Sequence, residues 1–225
     1  MNLNVYHLNE DSNASADQLS EKLAAYPRHL LANDSWPQIT TICTADFVIA
    51  HREQHILLKF TISNDYFQSI ERPVNSEVHL DNCVEFFIAF DQSDQYYNIE
   101  FNCLGIGKMA YGSKKDKRTL LQKSVVQKIH TWTKSDAMEG EFNWEMMMSI
   151  PADVFVFHQI QNFDGLTARA NFYKCGDGLP NPHFLCWNKV VSPTPDFHSP
   201  DHFGTIQFMP VQTESSDLND KYGFF

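Results

Sequence analysis

Residues 82–105 read NCVEFFIAFDQSDQYYNIEFNCLG. Two runs rich in aromatic and β-branched residues, 82–90 and 96–105, flank DQSDQ at 91–95, whose small polar side chains suit a turn. The stretch predicts a β-hairpin. Successive strand side chains point to opposite faces, so the second run sorts cleanly. Tyr97, Ile99, Phe101 and Cys103 share one face, which belongs in a core; Tyr96, Asn98, Glu100 and Asn102 share the other. The first run is apolar on both faces apart from Glu85, so it reads as a central strand. A carboxyl group there must find partners, because an unpaired buried charge is costly.

The same pattern extends outward. ADFVIAHREQHILLKFTI (45–62) is two runs about a polar HREQ turn, and KSVVQKIHTWT (123–133) pairs with FNWEMMMSIP (142–151) around KSDAMEG. GLTARANFYKC (165–175), HFLCWN (183–188) and FGTIQF (203–208) complete the strands. Phe142, Trp144, Met146, Met148 and Ile150 form one apolar stripe. Ala168, Ala170 and Phe172 form another, with Arg169, Asn171 and Tyr173 on the reverse face. Short strands, close turns and no alternating helices predict an all-β fold, an antiparallel β-sandwich. One short helix is expected over 16–25, where Ser15 and Gln18 make a capping box ahead of Leu19 and Leu23, and a single turn at PADVF (151–155). Without a linker or internal repeat, residues 1–225 read as one domain with its core at about 35–208 and a polar tail over 210–225. Trp36 and Trp132 read as packing residues, and Trp187 as core or side wall.

Hydrophobic residues make up 43% and aromatics 13% of the 225, enough for a sizeable core. The net charge of −11, from 28 acids and 17 bases, argues against nucleic acid or an anionic membrane as partner and favours neutral ligands. KKDKR (114–118) reads as a solvated hairpin tip. The start, MNLNVYHLNEDSN, has neither the basic nor the apolar region of a secretory signal. Cysteines 43, 83, 103, 175 and 186 form no CxxC pair, which suggests buried free thiols and a cytoplasmic setting. His198 and His202 are four apart, but Pro200 between them disfavours a helical metal pair; even with His183 added, no metal site is assigned. Neither a phosphate loop nor a GxSxG nucleophile is present.

The polar faces offer Glu85, Asn98, Glu100, Arg169, Asn171 and Tyr173. Such groups make planar, directional hydrogen bonds to vicinal hydroxyls, and an aromatic wall would complete a sugar site. The plain alternative is a solvated outer face. Glu85 and Glu100 would suit a glycosidase only if their carboxyl groups lay about 5–5.5 Å apart in a retaining arrangement. In SPTPDFHSPDHFG (192–204), Pro193, Pro195 and Pro200 stiffen the chain. That loop is either a rigid mount for Phe197 over a site or a plug at the sandwich end.

Three stretches resemble the family-nine carbohydrate-binding modules, a DOMON-like β-sandwich family. DNCVEFFIAF resembles the signature D-[ST]-x-V-E-[IVF]-F, with Asn82 in place of Ser or Thr. IPADVF resembles the I-P-W element without its Trp. ARANFYKC, FLCWN and PDFHSPDHFG together resemble the terminal pattern of a polar strand, a Trp-bearing strand and an aromatic–Pro–Phe–Gly segment. The likeness spans roughly residues 35–208 and is greatest to free-standing bacterial relatives. It implies non-catalytic binding of the end of a plant-type oligo- or polysaccharide between two aromatics. A glycan-degrading enzyme is a further partner to consider, and no cofactor is implied. One clamp position falls at Phe197 and the other near Val78 and His79; Glu85 takes the signature glutamate, while Asn98, Glu100 and Asn171 match polar contact positions. Some relatives hold structural calcium, for which no dense oxygen-ligand run appears here. The alternatives are a small glycoside hydrolase or lyase, and a protein-interaction sandwich without a sugar ligand.

Overall fold

The computed structural model describes residues 1–9, 14–36, 38–39, 42–138 and 141–211; the predicted tail lies almost wholly outside them. In chain order the strands begin with β1 (Asn2–His7), β2 (His29–Leu30), β3 (Asn33–Asp34), β4 (Thr44–Arg52) and β5 (His55–Asp65). Next come β6 (Cys83–Ala89), β7 (Tyr96–Asn102), β8 (Gly107–Gly112), β9 (Arg118–Leu120) and β10 (His130–Met138). The last are β11 (Glu141–Pro151), β12 (Thr167–Cys175), β13 (Phe184–Cys186) and β14 (Gly204–Phe208). Two helices are described, α1 (Ala16–Leu23) and α2 (Lys123–Val126).

The strands follow one continuous order, β10-β11-β5-β4-β1-β14-β12-β6-β7-β8-β9, which folds over as two facing layers. β1 joins them. Its residues 2–5 pair with β14 in one layer, and residues 6–7 pair with β4 in the other. Both pairings are parallel, which corrects the expectation of a wholly antiparallel sandwich. The layers meet face to face where Phe47 of β4 stacks on Phe172 of β12, with ring centroids 3.9 Å apart. Ile99, Phe101, Trp144 and Phe172 are all in this core, as the alternation predicts. Burial of such apolar side chains contributes roughly 1.5–3 kcal/mol each, and it outweighs weak strand propensity.

α1 has the predicted reciprocal cap: Gln18 N donates to Ser15 Oγ at 3.3 Å and Ser15 N donates to Gln18 Oε1 at 2.8 Å. Leu19 and Leu23 then pack on Val48, Leu57 and Met147, closing the outer face of the second layer. The predicted turn after Pro151 is present at Ala152–Val154. Several expectations need correction. The first residues of the expected strand 123–133 form α2 instead, where Val126 buries at the end of a single helical turn. Trp132 is 40% exposed on the edge strand β10, so it is not a packing residue, unlike the buried Trp36 and Trp187. All five cysteines are buried and free.

Candidate functional site

The face of β6 and β7 turned away from the main core is not solvated. A second apolar cluster covers part of it, including Trp36, Phe87, Tyr96, Tyr173 and Phe197. Beside this cluster a cavity of about 410 Å³ remains, with Glu85, Asn98, Glu100, Lys108 and Arg118 on its strand side and Pro195–His198 and His79 among its walls. Strand register builds the floor. Glu85 of β6 is opposite Glu100 of β7, which is opposite Lys108 of β8. Lys108 Nζ is 3.6 Å and His79 Nδ1 3.9 Å from Glu100 Oε2.

Each polar group has a defined partner, with one exception. Asn98 Nδ2 donates to Glu100 Oε1, while Asn98 Oδ1 accepts from Arg118 Nε at 3.0 Å and Nη2 at 2.8 Å. Arg118 also donates to the carbonyls of Gly112 and Tyr96, both at 2.9 Å, and its guanidinium sits 4.1 Å from the centre of the Tyr96 ring. Arg118 is thus a strut that fixes Asn98 and not the solvated tip residue expected from KKDKR. The exception is Glu100 Oε2, which is buried with no hydrogen-bond partner. Such an atom forfeits the hydration it would have in water unless something donates to it. Glu85 accepts from the Cys175 thiol at 3.1 Å. Burial, and then the Glu100 charge beside it, push the Glu85 carboxyl well above the ordinary carboxylate range.

The seven side chains singled out from the sequence divide. Glu85, Asn98, Glu100 and Phe197 line the cavity. Arg169, Asn171 and Tyr173 share that sheet face without lining it. Arg169 donates to backbone carbonyls of residues 91, 93 and 200. Asn171 Nδ2 binds Asn188 O at 2.8 Å and its Oδ1 accepts from Asn188 N at 2.9 Å, pinning the segment after β13. Tyr173 is fully buried behind Phe197, with the rings stacked at 4.1 Å, and its hydroxyl donates to Phe197 O. Phe197 is itself only 7% exposed, with Trp36 and Phe184 also against it. The proline-rich loop does hold it rigidly, yet as a buried wall and not as an open stacking platform. At the other clamp position His79 reaches the cavity while Val78 is buried.

Sequence reading missed Lys108, set Arg118 aside as a hairpin-tip cation and weighed His198 only as a metal ligand. Only register against Glu100 would have pointed to Lys108, and nothing local marks the other two. His198 Nδ1 pairs with the Tyr96 hydroxyl at 2.8 Å. Burial, aided by the positive charge of Arg118, lowers its pKa to about 3, so the ring is neutral. The three histidines weighed as a metal site are apart in function: His202 pairs with Ser199 Oγ and His183 with Lys174 Nζ. Calcium finds no place in the two described clusters of three acidic, His or Cys ligands, since each includes a cysteine sulfur.

A family model described as carbohydrate-binding family 9 matches residues 18–208. A candidate carbohydrate-binding protein from Bacteroides uniformis ATCC 8492 is 31% identical, with a TM-score of 0.85 over 92% of this chain and 98% of its own. A family 9 module from Caldicellulosiruptor kristjanssonii, solved with cellotriose, is 11% identical, with a TM-score of 0.58 over 99% of this chain and all of its own. The module from that organism solved with glucose is 12% identical, with a TM-score of 0.57 over 98% of this chain and 100% of its own. At these identities the two modules speak for the fold alone. No curated protein matches this chain.

Proposed function

The chain belongs to carbohydrate-binding family 9, and on that premise we propose that it binds the terminal unit of an oligo- or polysaccharide in the cavity over β6–β8 without catalysing a reaction. The observation that carries this reading is Glu100 Oε2, a buried acceptor on the cavity wall with no donor of its own. A sugar hydroxyl supplies that donor. Burial raises the Glu85 pKa and so favours the neutral carboxyl that can donate, and Asn98 and Arg118 form one fixed array with Glu100. The family 9 modules solved with glucose and cellotriose make gluco-configured chain ends the first ligands to try. A glycan-degrading enzyme encoded with this protein is a natural partner under the same reading.

The enzyme reading is less well supported. Glu85 and Glu100 are direct register partners on one face of the sheet. A glycosidase needs its two carboxyl groups on either side of the scissile bond, with room for sugar or water between them. A glycan array followed by calorimetry on the hits, with reducing-sugar release measured in parallel, tests both. Binding without release is the expected result. Release that disappears in Glu100→Gln would overturn it in favour of hydrolysis, and no binding to any glycan would remove the proposal.

A further inference from the structure

Behind the floor of the cavity lies a second constellation, which joins Glu85 of the sugar reading to two cysteines that reading does not use. Cys83 and Cys175 are register partners on β6 and β12, and Glu85 follows Cys83 by two residues on the same face. Their two sulfurs and a carboxylate oxygen all lie within 4.8 Å of one another, and all three side chains are buried. We propose that Cys83, Cys175 and Glu85 form a binding site for a single soft divalent cation of the zinc class, with the fourth position left to water on the cavity side.

The donor set chooses the metal. Two thiolates and one carboxylate suit a borderline-soft ion, and a hard ion such as calcium or magnesium takes oxygen ligands instead. Zinc bonds of about 2.3 Å to sulfur and 2.0–2.2 Å to oxygen set ligands roughly 3.5–3.8 Å apart, so small side-chain rotations close this triangle. Charge argues the same way. The second buried trio, Cys43, Asp65 and His183, already has a cation: Lys174 Nζ is 3.1 Å from Asp65 and 2.6 Å from His183. At Glu85 the described partner is a thiol, and Lys108, across β7 from it, pairs with Glu100. Glu100 Oε2 on the same cavity, which has no hydrogen-bond donor, adds an acceptor for a metal-bound water. Glu85 lines the cavity and so gives the ion a way in.

Cobalt(II) is the optical probe, added to the full chain reduced with a phosphine and freed of metal by a chelator. One equivalent should give a thiolate-to-cobalt charge-transfer band with tetrahedral visible absorption, and zinc should bleach both. The band should vanish in Cys83→Ala and in Cys175→Ala and persist in Cys43→Ser and Cys186→Ser. Cadmium-113 resonance of the wild type reports two sulfur ligands independently of any variant that fails to fold. No band in folded wild type, a band lost only in Cys43→Ser, or a Cys83–Cys175 disulfide in protein isolated under thiol-blocking conditions would each overturn the site.

Discussion

Buried polar side chains sit on both faces of the layer that contains β12, and the two sets are built on opposite plans. On the inner face, Lys174 is fully buried, and its three ammonium hydrogens meet three acceptors. These are Asp65 Oδ2 at 3.1 Å, His183 Nε2 at 2.6 Å and Cys175 O at 2.8 Å. Asp65 also accepts from Trp144 Nε1 at 3.0 Å and Tyr66 N at 2.9 Å. Against the upward push of burial, Lys174 and Trp144 hold its carboxyl below the usual range. That network closes on itself. On the outer face, Glu100 keeps one oxygen without a hydrogen-bond donor, and burial raises the Glu85 pKa. Buried polar groups that satisfy one another serve the fold, whereas those left with spare valence await something from outside.

Breaking the closed network should have the largest effect. Lys174→Met leaves Asp65 buried without its cation, which should destabilise the fold by about 3–5 kcal/mol. Urea unfolding checks it, and the protein that remains folded should bind sugar as the wild type does. A loss below about 1 kcal/mol would mean that the inner network is not the closed structural unit described.

Phe197 tests where the boundary between the two regions runs. Its ring is sandwiched against Tyr173 and Trp36 but borders the cavity. Phe197→Ala should therefore cost about 3 kcal/mol, the low end for a core aromatic, and Phe197→Trp should overpack the site by about 1–3 kcal/mol. Melting curves with and without sugar decide the matter. A stable Phe197→Ala protein that no longer binds sugar would restore the open platform.

The fold was legible where alternation ran for several residues, as in 96–102, 142–150 and 168–174. There a period of two assigns every side chain to a face, and burial then fixes the register. β1 carries the same signal in Leu3 and Val5, but two apolar residues are too few to stand out, and its parallel partners lie distant in the chain. The site was legible only in part. Alternation places Glu85, Asn98 and Glu100 on a non-core face but is silent about what covers that face. Whether Phe197 is a platform or a wall depends on Trp36, 161 positions away in the chain. Arg118 looked like one of a run of surface cations because three of its four acceptors are main-chain carbonyls, which no residue pattern displays.

Within the open set, Glu100 should matter to binding more than to folding. Glu100→Gln converts a charged acceptor into a neutral amide, and the affinity for a sugar hydroxyl should fall by about 1.5–3 kcal/mol, roughly 10- to 150-fold. The urea midpoint should stay near that of the wild type, since the change also relieves Glu85 of a like charge. Calorimetry and urea unfolding on one preparation separate the two quantities. A lost fold with unchanged affinity would move Glu100 into the closed class.

The smallest effect on binding is expected at the neighbouring carboxyl. Because burial raises the Glu85 pKa and so favours its neutral form, Glu85→Gln exchanges one planar group for another of the same shape, and affinity in chelator should change by less than about 0.5 kcal/mol. A difference in pH dependence tests that shift. A carboxyl whose folded pKa lies above its unfolded value, about 4.3 for Glu, favours the native state fully below that value. The contribution is lost as pH rises through the elevated folded pKa. His198, with its pKa lowered to about 3, works the other way: its contribution is present above the usual histidine value of about 6.5 and is lost as pH falls toward 3. The histidine slope is common to both proteins, so subtracting the stability of Glu85→Gln from that of the wild type at each pH leaves the glutamate alone. That difference should decline from pH 4 upward. A flat difference would show that burial does not raise the Glu85 pKa.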